Sequence, residues 1–372
     1  MPRQTVKMAE ATTPNISTIH KILPTEIFVN ILKRLDFKSI TNAKGACKEW
    51  KKVIEHFKLV EEASMKVRCI IVAGGGLDIG KKVQIMFGDF KNIQLPDLND
   101  RLSGSSMALH NGEILLFGGC HEFGGYESHK NQECYKLWKG FSSNLHSFLT
   151  DNGRCYSSAV TTEKATFLFG GCGPTRKTYE YLPKASTTWQ NGRIPIPGEF
   201  GIGSAIAVKS GQEILLIGGD DNDRKRILSF NVNDHLFTEL STNLNEGRFG
   251  HTCAYIPGTN KIMITGGVGQ SHRALNSTEI LNIEDGTITT GSPMNTKRSG
   301  HGIGVITINN EDRLVVFGGL SGTQGRARTQ VHFVEIYNNF TEKWETTDIK
   351  VKSPNSGFAY LSVRLGDIIQ KI

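Results

Sequence analysis

The chain of 372 residues is poor in the features that announce catalysis, secretion or a membrane. Nothing in it approaches the roughly 18 apolar residues of a membrane-spanning helix, and residues 1–19 are polar, without the apolar core of a secretory leader. These absences point to a soluble protein of the cytoplasm and/or nucleus that engages no membrane. Cysteine is sparse, with seven residues at positions 47, 69, 120, 134, 155, 172 and 253. They are odd in number, scattered and never spaced Cys-x-x-Cys, which argues against a disulfide framework and a zinc finger and for a reducing compartment. Histidines are dispersed. The Gly-rich runs do not spell Gly-x-Gly-x-x-Gly or open a helix, so no phosphate cradle is expected. The reading is of a non-catalytic protein with no catalytic residues, no metal and no cofactor.

What the sequence does contain is a repeat. The run Arg313 to Gly319, an apolar stretch closed by two glycines, has counterparts ending at Gly74-Gly75, Gly118-Gly119, Gly170-Gly171, Gly218-Gly219 and Gly266-Gly267. Successive pairs lie 44, 52, 48, 48 and 52 residues apart, a period that means units each too small to bury their own apolar face. Runs of four or five apolar residues with β-branched members read as strands buried on both faces. After each glycine pair comes a polar loop, then an alternating strand such as Arg226 to Val232 or Val331 to Tyr337. A strand often carrying an aromatic follows, with Trp189, Phe237 and Trp344 in three copies and Ile93 and Ile288 in two weaker ones. A turn, commonly with Arg, then leads to a Gly/Ser/His-rich strand, as in Arg154 to Val160, Arg248 to Tyr255 and Arg298 to Ile306. Each period therefore supplies four antiparallel strands.

At these residues the chain resembles the kelch family, with Arg248-Phe-Gly-His251 and Arg298-Ser-Gly-His301 matching well over roughly residues 65 to 365. The resemblance implies a mainly β fold, a six-bladed β-propeller over residues 66–372. Its first copy lacks a leading strand, while Ser356 to Arg364 follows the last copy unpaired, so the two halves are expected to complete one blade and hide the sheet edges. Kelch repeats also occur in a copper oxidase resembling galactose oxidase, whose cross-linked Cys-Tyr pair and clustered His ligands have no counterpart here. Cys120-His121 and Cys172, which follow glycine pairs in adjacent copies, make only a weak metal pattern without a four-ligand set.

Ahead of the repeats the grammar changes. Leu23-Pro24-Thr25-Glu26 opens a helix with proline in its first turn and an acid near the positive end of the helix dipole. Ile27, Phe28, Ile31, Leu32 and Leu35 form one apolar stripe. Asp36 can cap a second helix through Ile40 and Ala43, and Cys47 to Phe57 continues helically. So small a core leaves apolar surface for a partner. The segment resembles an F-box through Leu23-Pro24-Thr25-Glu26-Ile27, Ile31, Leu35, Ser39-Ile40-Thr41-Asn42-Ala43 and Cys47-Lys48-Glu49-Trp50, with Ala46 and Gly45 as departures. Boundaries follow: a disordered segment 1–19, a three-helix F-box 20–58, a linker 59–65 and the propeller 66–372.

The F-box resemblance implies docking to the Skp-type linker of cullin-RING (SCF) ubiquitin ligases through Leu23, Pro24, Ile27, Ile31, Leu35 and Trp50. The protein would then be a substrate receptor whose propeller holds a target protein. The alternative is a ligase-independent scaffold for partners such as cytoskeletal proteins. Residues 20–58 hold nine Lys/Arg against four Asp/Glu, so most of the net charge of +7 lies there and the propeller is nearly neutral. A neutral propeller offers little footprint for nucleic acid. The loops after the glycine pairs vary while the repeat fixes the rest, and they are the natural recognition face. Three of them contribute Arg176, Lys177, Arg273, Arg326 and Arg328 with no acid, which suits an acidic or phosphorylated target segment.

Overall fold

The computed structural model describes residues 37–46, 48–56, 63, 65–75, 80–88, 92–98, 103–120, 132–136, 140–142, 153–171, 173–194, 204–207, 211–219, 224–324, 328–350 and 356–369. The chain divides into two compact units, Met1–Val67 and Arg68–Ile372.

In the first unit, helix α1 (Phe37–Ala46) adjoins helix α2 (Lys48–His56). Ile40 and Ala43, one helical turn apart, are buried, as is Ile54, while Lys51, Lys52 and Glu55 are exposed. The two helices thus bury one stripe each and leave their charges outside. Lys44 and Glu55 join them in an ion pair of 3.0 Å, which contributes little at so exposed a place. Helix α1 runs through Gly45 despite that residue's poor propensity, and nothing lies within 4 Å of where a Cβ would stand. The expected first helix, with Leu23, Pro24, Ile27, Ile31 and Leu35, falls outside the described residues.

The second unit is mainly β and, among the described residues, has a propeller-like arrangement of six four-stranded antiparallel sheets. From the inside outward, sheet one holds Ala359–Arg364, Arg68–Ala73, Val83–Met86 and Asn92–Leu95. Sheet two holds Ser106–His110, Glu113–Phe117, Gln132–Lys136 and Gly140–Ser142, and sheet three Ser158–Thr161, Ala165–Phe169, Thr178–Pro183 and Gln190–Arg193. Sheet four is Ser204–Ala207, Glu213–Ile217, Ile227–Asn231 and Phe237–Glu239, and sheet five Thr252–Tyr255, Lys261–Thr265, Thr278–Asn282 and Ile288–Gly291. Sheet six is Gly302–Ile308, Glu311–Phe317, Phe333–Asn338 and Lys343–Lys350. The innermost strands neighbour one another in cyclic order, that of sheet six meeting that of sheet one. Sheet one joins both chain ends, because Ala359–Arg364 pairs with Arg68–Ala73 over six residues from Arg68↔Arg364 to Ala73↔Ala359. A short helix, α3 (Leu365–Ile369), follows.

The core sits in the seams between sheets. Phe167 and Phe169 of sheet three pack on Ile214, Leu216 and Phe230 of sheet four, whereas Leu168, between them in sequence, faces Phe117 of sheet two with Trp189. Leu215 and Ile217 in turn face Ile262 and Ile264 of sheet five. Successive strand residues point to opposite faces, and both faces are covered, so the strand before each glycine pair reads as an unbroken apolar run. Trp344 lies in the outer strand of sheet six, and Trp189 sits just ahead of that of sheet three, edge-on to Phe117 at 5.5 Å.

The glycine pairs have a steric cause. Both members of every pair take positive φ, for example 66° and 92° at Gly318 and Gly319, where a side chain is strained. A Cβ on Gly118 would stand 1.9 Å from the Arg154 carbonyl oxygen, and one on Gly319 would stand 2.7 Å from the Cβ of His301. The first glycine of a pair is where a sheet's turn touches the next sheet's entry, as at Gly118, and the second is where it touches the entry of its own sheet, as at Gly319.

Cutting the chain after Lys352 removes the innermost strand of sheet one and leaves Arg68–Ala73 as an open edge. Because each sheet is held by its two neighbours, the truncated protein is expected to melt well below the full chain in a calorimetric scan. Equal melting temperatures would show that the ring does not depend on this strand.

Candidate functional site

Three of the turns that feed an innermost strand are anchored by a buried cation. Arg154, Arg248 and Arg298 are fully buried. Their guanidinium groups donate to the carbonyl of the first glycine of their own sheet, at 2.6 Å to Gly170, 2.9 Å to Gly266 and 3.2 Å to Gly318. Each also meets a buried carboxylate on the third strand, Glu180 at 3.1 Å, Glu279 at 2.7 Å and Glu335 at 2.6 Å. Glu279 accepts further from the backbone N–H groups of Asn245 and Glu246, and Glu335 from those of Asn295 and Thr296. The carboxylate therefore gathers the connecting turn as well as the arginine, which is the satisfaction a buried ion needs. Burial pulls the pKa of Arg154 and Arg298 down, and the facing carboxylates oppose it. The main chain completes the junction across the seam: the carbonyls of Arg154, Arg248 and Arg298 accept from Gly119, Gly219 and Gly267 of the preceding sheets. The arginines were legible as turn markers. Their acids were not, although each is a lone carboxylate in an otherwise apolar third strand, as in Tyr179-Glu180-Tyr181.

These bonds also establish that the glycine-pair loops and the arginine-bearing connectors share one end of the ring. Two residues after each arginine the backbone turns left-handed, with φ of 57° at Tyr156 and 58° at Gly250 and Gly300. Gly104 and Gly357 hold the equivalent places at 70° and 68°. These residues are tied to one another around the axis, Gly104 N–H to Gly357 O at 2.5 Å, Tyr156 N–H to Gly104 O at 2.6 Å and Gly300 N–H to Gly250 O at 2.8 Å. Below this throat lies a channel of about 680 Å3 lined by the innermost strands, including Ser106, Ser158, Cys253 and Tyr360, with the Arg68–Asp312 pair at 3.1 Å among its lining. His251 and His301 border it and reach into seams. The Nε2 of His301 lies 3.0 and 2.9 Å from the hydroxyls of Thr252 and Thr265 in sheet five.

The loop end carries the basic residues singled out from the sequence. Arg273 and Arg328 are brought to one small structure. The loop of sheet six forms a two-stranded sheet, Leu320–Gly322 with Arg328–Gln330, in which Gly322 pairs with Arg328. Thr323 bridges to Arg273 of sheet five, with Ala274 N–H to Gly322 O at 2.8 Å and Gln324 N–H to His272 O at 2.7 Å. This hairpin was read from sequence as loop; its Gly-, Gln- and Thr-rich strands show no apolar alternation. Arg273 is exposed and Arg328 half-buried. Arg176 and Lys177 lie apart, on the 3-10 turn Gly173–Lys177 of sheet three, the first half-buried and the second exposed. Arg326 lies outside the described residues. Arg224 of sheet four, which sequence counting balanced against nearby aspartates, lies 4.5 Å over the Phe249 ring and donates to Gly269 O at 3.4 Å. It fastens its loop to sheet five.

Among the described residues no group of three or more His, Cys, Asp or Glu is placed to hold a metal. Cys172 lies outside them. Cys120 has Cys155 for a neighbour.

A family profile described as F-box-like matches residues 21–61. The chain therefore joins an F-box-like segment to a propeller-like β unit. F-box domains generally bind Skp-type linkers in cullin-RING ligases. Of the residues that the F-box resemblance assigns to that contact, Trp50 lies in α2, and Leu23, Pro24, Ile27, Ile31 and Leu35 fall within the matched span outside the described residues. No curated protein matches the chain.

Two outcomes follow from the buried ions. Arg298→Ala strands the Glu335 carboxylate and is expected to cost about 3–5 kcal/mol, while Arg298→Leu with Glu335→Leu recovers most of it; urea unfolding measures both. In sheet four, Leu228 pairs with Leu216 as Glu279 pairs with Ile264, and Phe200 stands four residues before its innermost strand as Arg248 does before that of sheet five. Burial and the neighbouring arginines hold His251 at about 3 and His301 well below the ordinary imidazole value. Both stay neutral when folded yet take a proton near pH 6.5 when unfolded, so their contribution is complete above that pH and is lost as pH falls toward 3. Stability is expected to drop with a slope of about 1.4 kcal/mol per pH unit per histidine. His301→Gln should flatten the slope of unfolding free energy against pH by one such share.

Proposed function

We propose that this protein is the substrate-recognition subunit of an SCF-type ubiquitin ligase. The observation that carries the reading is the pairing of an F-box-like segment at residues 21–61 with a propeller-like unit of four-stranded sheets. In this reading the six sheets are the blades of a kelch propeller, and the three-helix F-box docks to the Skp-type linker. Leu23, Pro24, Ile27, Ile31, Leu35 and Trp50 form the docking contact. The propeller holds a target protein while an associated conjugating enzyme transfers ubiquitin to it, so the chain performs no bond chemistry itself. It works in the cytoplasm and/or nucleus.

Target recognition belongs to the glycine-pair loops, where Arg176, Lys177, Arg273, Arg326 and Arg328 suit an acidic or phosphorylated segment. The tying of Arg273 and Arg328 into one hydrogen-bonded loop structure supports the part of this surface on sheets five and six, because preorganised groups lose less freedom on binding.

Leu23→Ala with Pro24→Ala is expected to abolish capture of the Skp-type linker while the β unit keeps its melting temperature. Undiminished capture by the folded double variant would overturn the ligase reading. Changing Arg176, Arg273, Arg326 and Arg328 together to Ser leaves linker capture intact and should weaken target capture. Retained target binding with an unchanged salt dependence would put recognition elsewhere.

A further inference from the structure

At each seam two chain positions flank the contact between a glycine pair and the following connector: the residue after the pair, and the residue after the arginine position. In sequence these are Gly76 with Ser103, Cys120 with Cys155, Cys172 with Gly201, Asp220 with Phe249, Val268 with Ser299, and Leu320 with Ser356. The repeat asks for no cysteine there, yet one seam has two. At that seam Gly119 N–H donates to Arg154 O at 2.7 Å, which fixes the spacing of the two chains. The Cys120 and Cys155 side chains are hydrogen bonded to each other, and the Cys120 Sγ also lies 3.4 Å from Ser103 O. Both residues are buried, at 0% and 1% exposure. Thiols in contact on chains so tied suit the separation that a disulfide spans, roughly 4.4–6.8 Å between Cα atoms.

We propose that Cys120 and Cys155 form an oxidisable dithiol that a hydroperoxide converts to a disulfide across the seam between sheets two and three. One thiolate attacks a peroxide oxygen and the O–O bond breaks. With hydrogen peroxide this yields a sulfenic acid and one water. The second sulfur then attacks the sulfenic sulfur and expels hydroxide, which leaves with that thiol's proton as a second water. Two thiols have lost two electrons and two protons, and the peroxide has taken them up. Contact with Cys155 and, after it, burial raise the Cys120 thiol pKa, so thiolate is scarce and the first step waits on opening of the seam. The disulfide encloses the two outer strands of sheet two, Gln132–Lys136 and Gly140–Ser142. Oxidation thereby ties the turn after the second strand of sheet two to the entry of sheet three and closes the outer strands into a covalent loop.

The test treats the full-length protein with hydrogen peroxide, alkylates the remaining thiols and maps unreduced peptides by mass spectrometry. The expected result is a Cys120–Cys155 cross-link and a melting temperature raised by roughly 5 °C, both reversed by dithiothreitol. Cys120→Ala and Cys155→Ala each abolish the cross-link and the shift, while Cys172→Ala keeps both. Cys120 and Cys155 remaining alkylatable after other thiols have oxidised, or Cys120 joined to a different cysteine, would overturn the proposal. If the alanine variants fail to fold, the peptide map of the unaltered protein decides alone.

Discussion

The β unit depends on one arrangement used three times, a fully buried arginine that spans a glycine turn and a third-strand carboxylate. Each guanidinium joins two parts of its own sheet, while its residue's carbonyl bonds the sheet before. The seams supply most of the apolar burial, but apolar faces slide easily over one another. The arginine fixes the register at which neighbouring sheets meet, and the left-handed glycines exist because that contact leaves no room for a side chain.

The arrangement is modular. At the corresponding places in the sequence, Phe200 and Leu228 stand for sheet four and Asn355 and Gln84 for sheet one, so the residue types change together, with Phe200 and Asn355 outside the described residues. Physical chemistry expects this, since a buried arginine without its acid is worse than either alternative. By sequence position sheet two combines Leu102, which lies outside the described residues, with Glu133, the one mixed combination. It borders the seam with the two thiols.

The strands before the glycine pairs were legible because covered faces on both sides leave only one kind of residue there. The propeller-like arrangement was legible from the period, and the F-box-like segment from the joint spacing of Leu23-Pro24, Ile31 and Trp50. The acids of the ion pairs escaped notice because their arginines lie 26, 31 and 37 residues earlier. Variable loops set those distances, so no fixed spacing reveals them. The hairpin of Leu320–Gly322 with Arg328–Gln330 escaped for a different reason. Its strands face no apolar core, so they carry no alternation, and their support comes from main-chain bonds to another loop. Arg176 and Arg273 look alike in sequence, each a basic residue in an acid-free loop, yet one is half-buried on a 3-10 turn and the other exposed at an isolated bridge to Thr323.

The pairing of Ala359–Arg364 with Arg68–Ala73 means that the beginning and end of the β unit are side by side in one sheet. The finished ring therefore has no first or last sheet, and the chain's order is a fact of synthesis rather than of geometry. A gene that started this unit at another surface turn, with the present ends joined through a linker, would encode the same set of contacts. What would differ is the path to them, since sheet one now cannot be completed until the final innermost strand has been made. Until then the edge at Arg68–Ala73 is open, and this is the interval in which the nascent protein is most exposed to strand pairing with another chain.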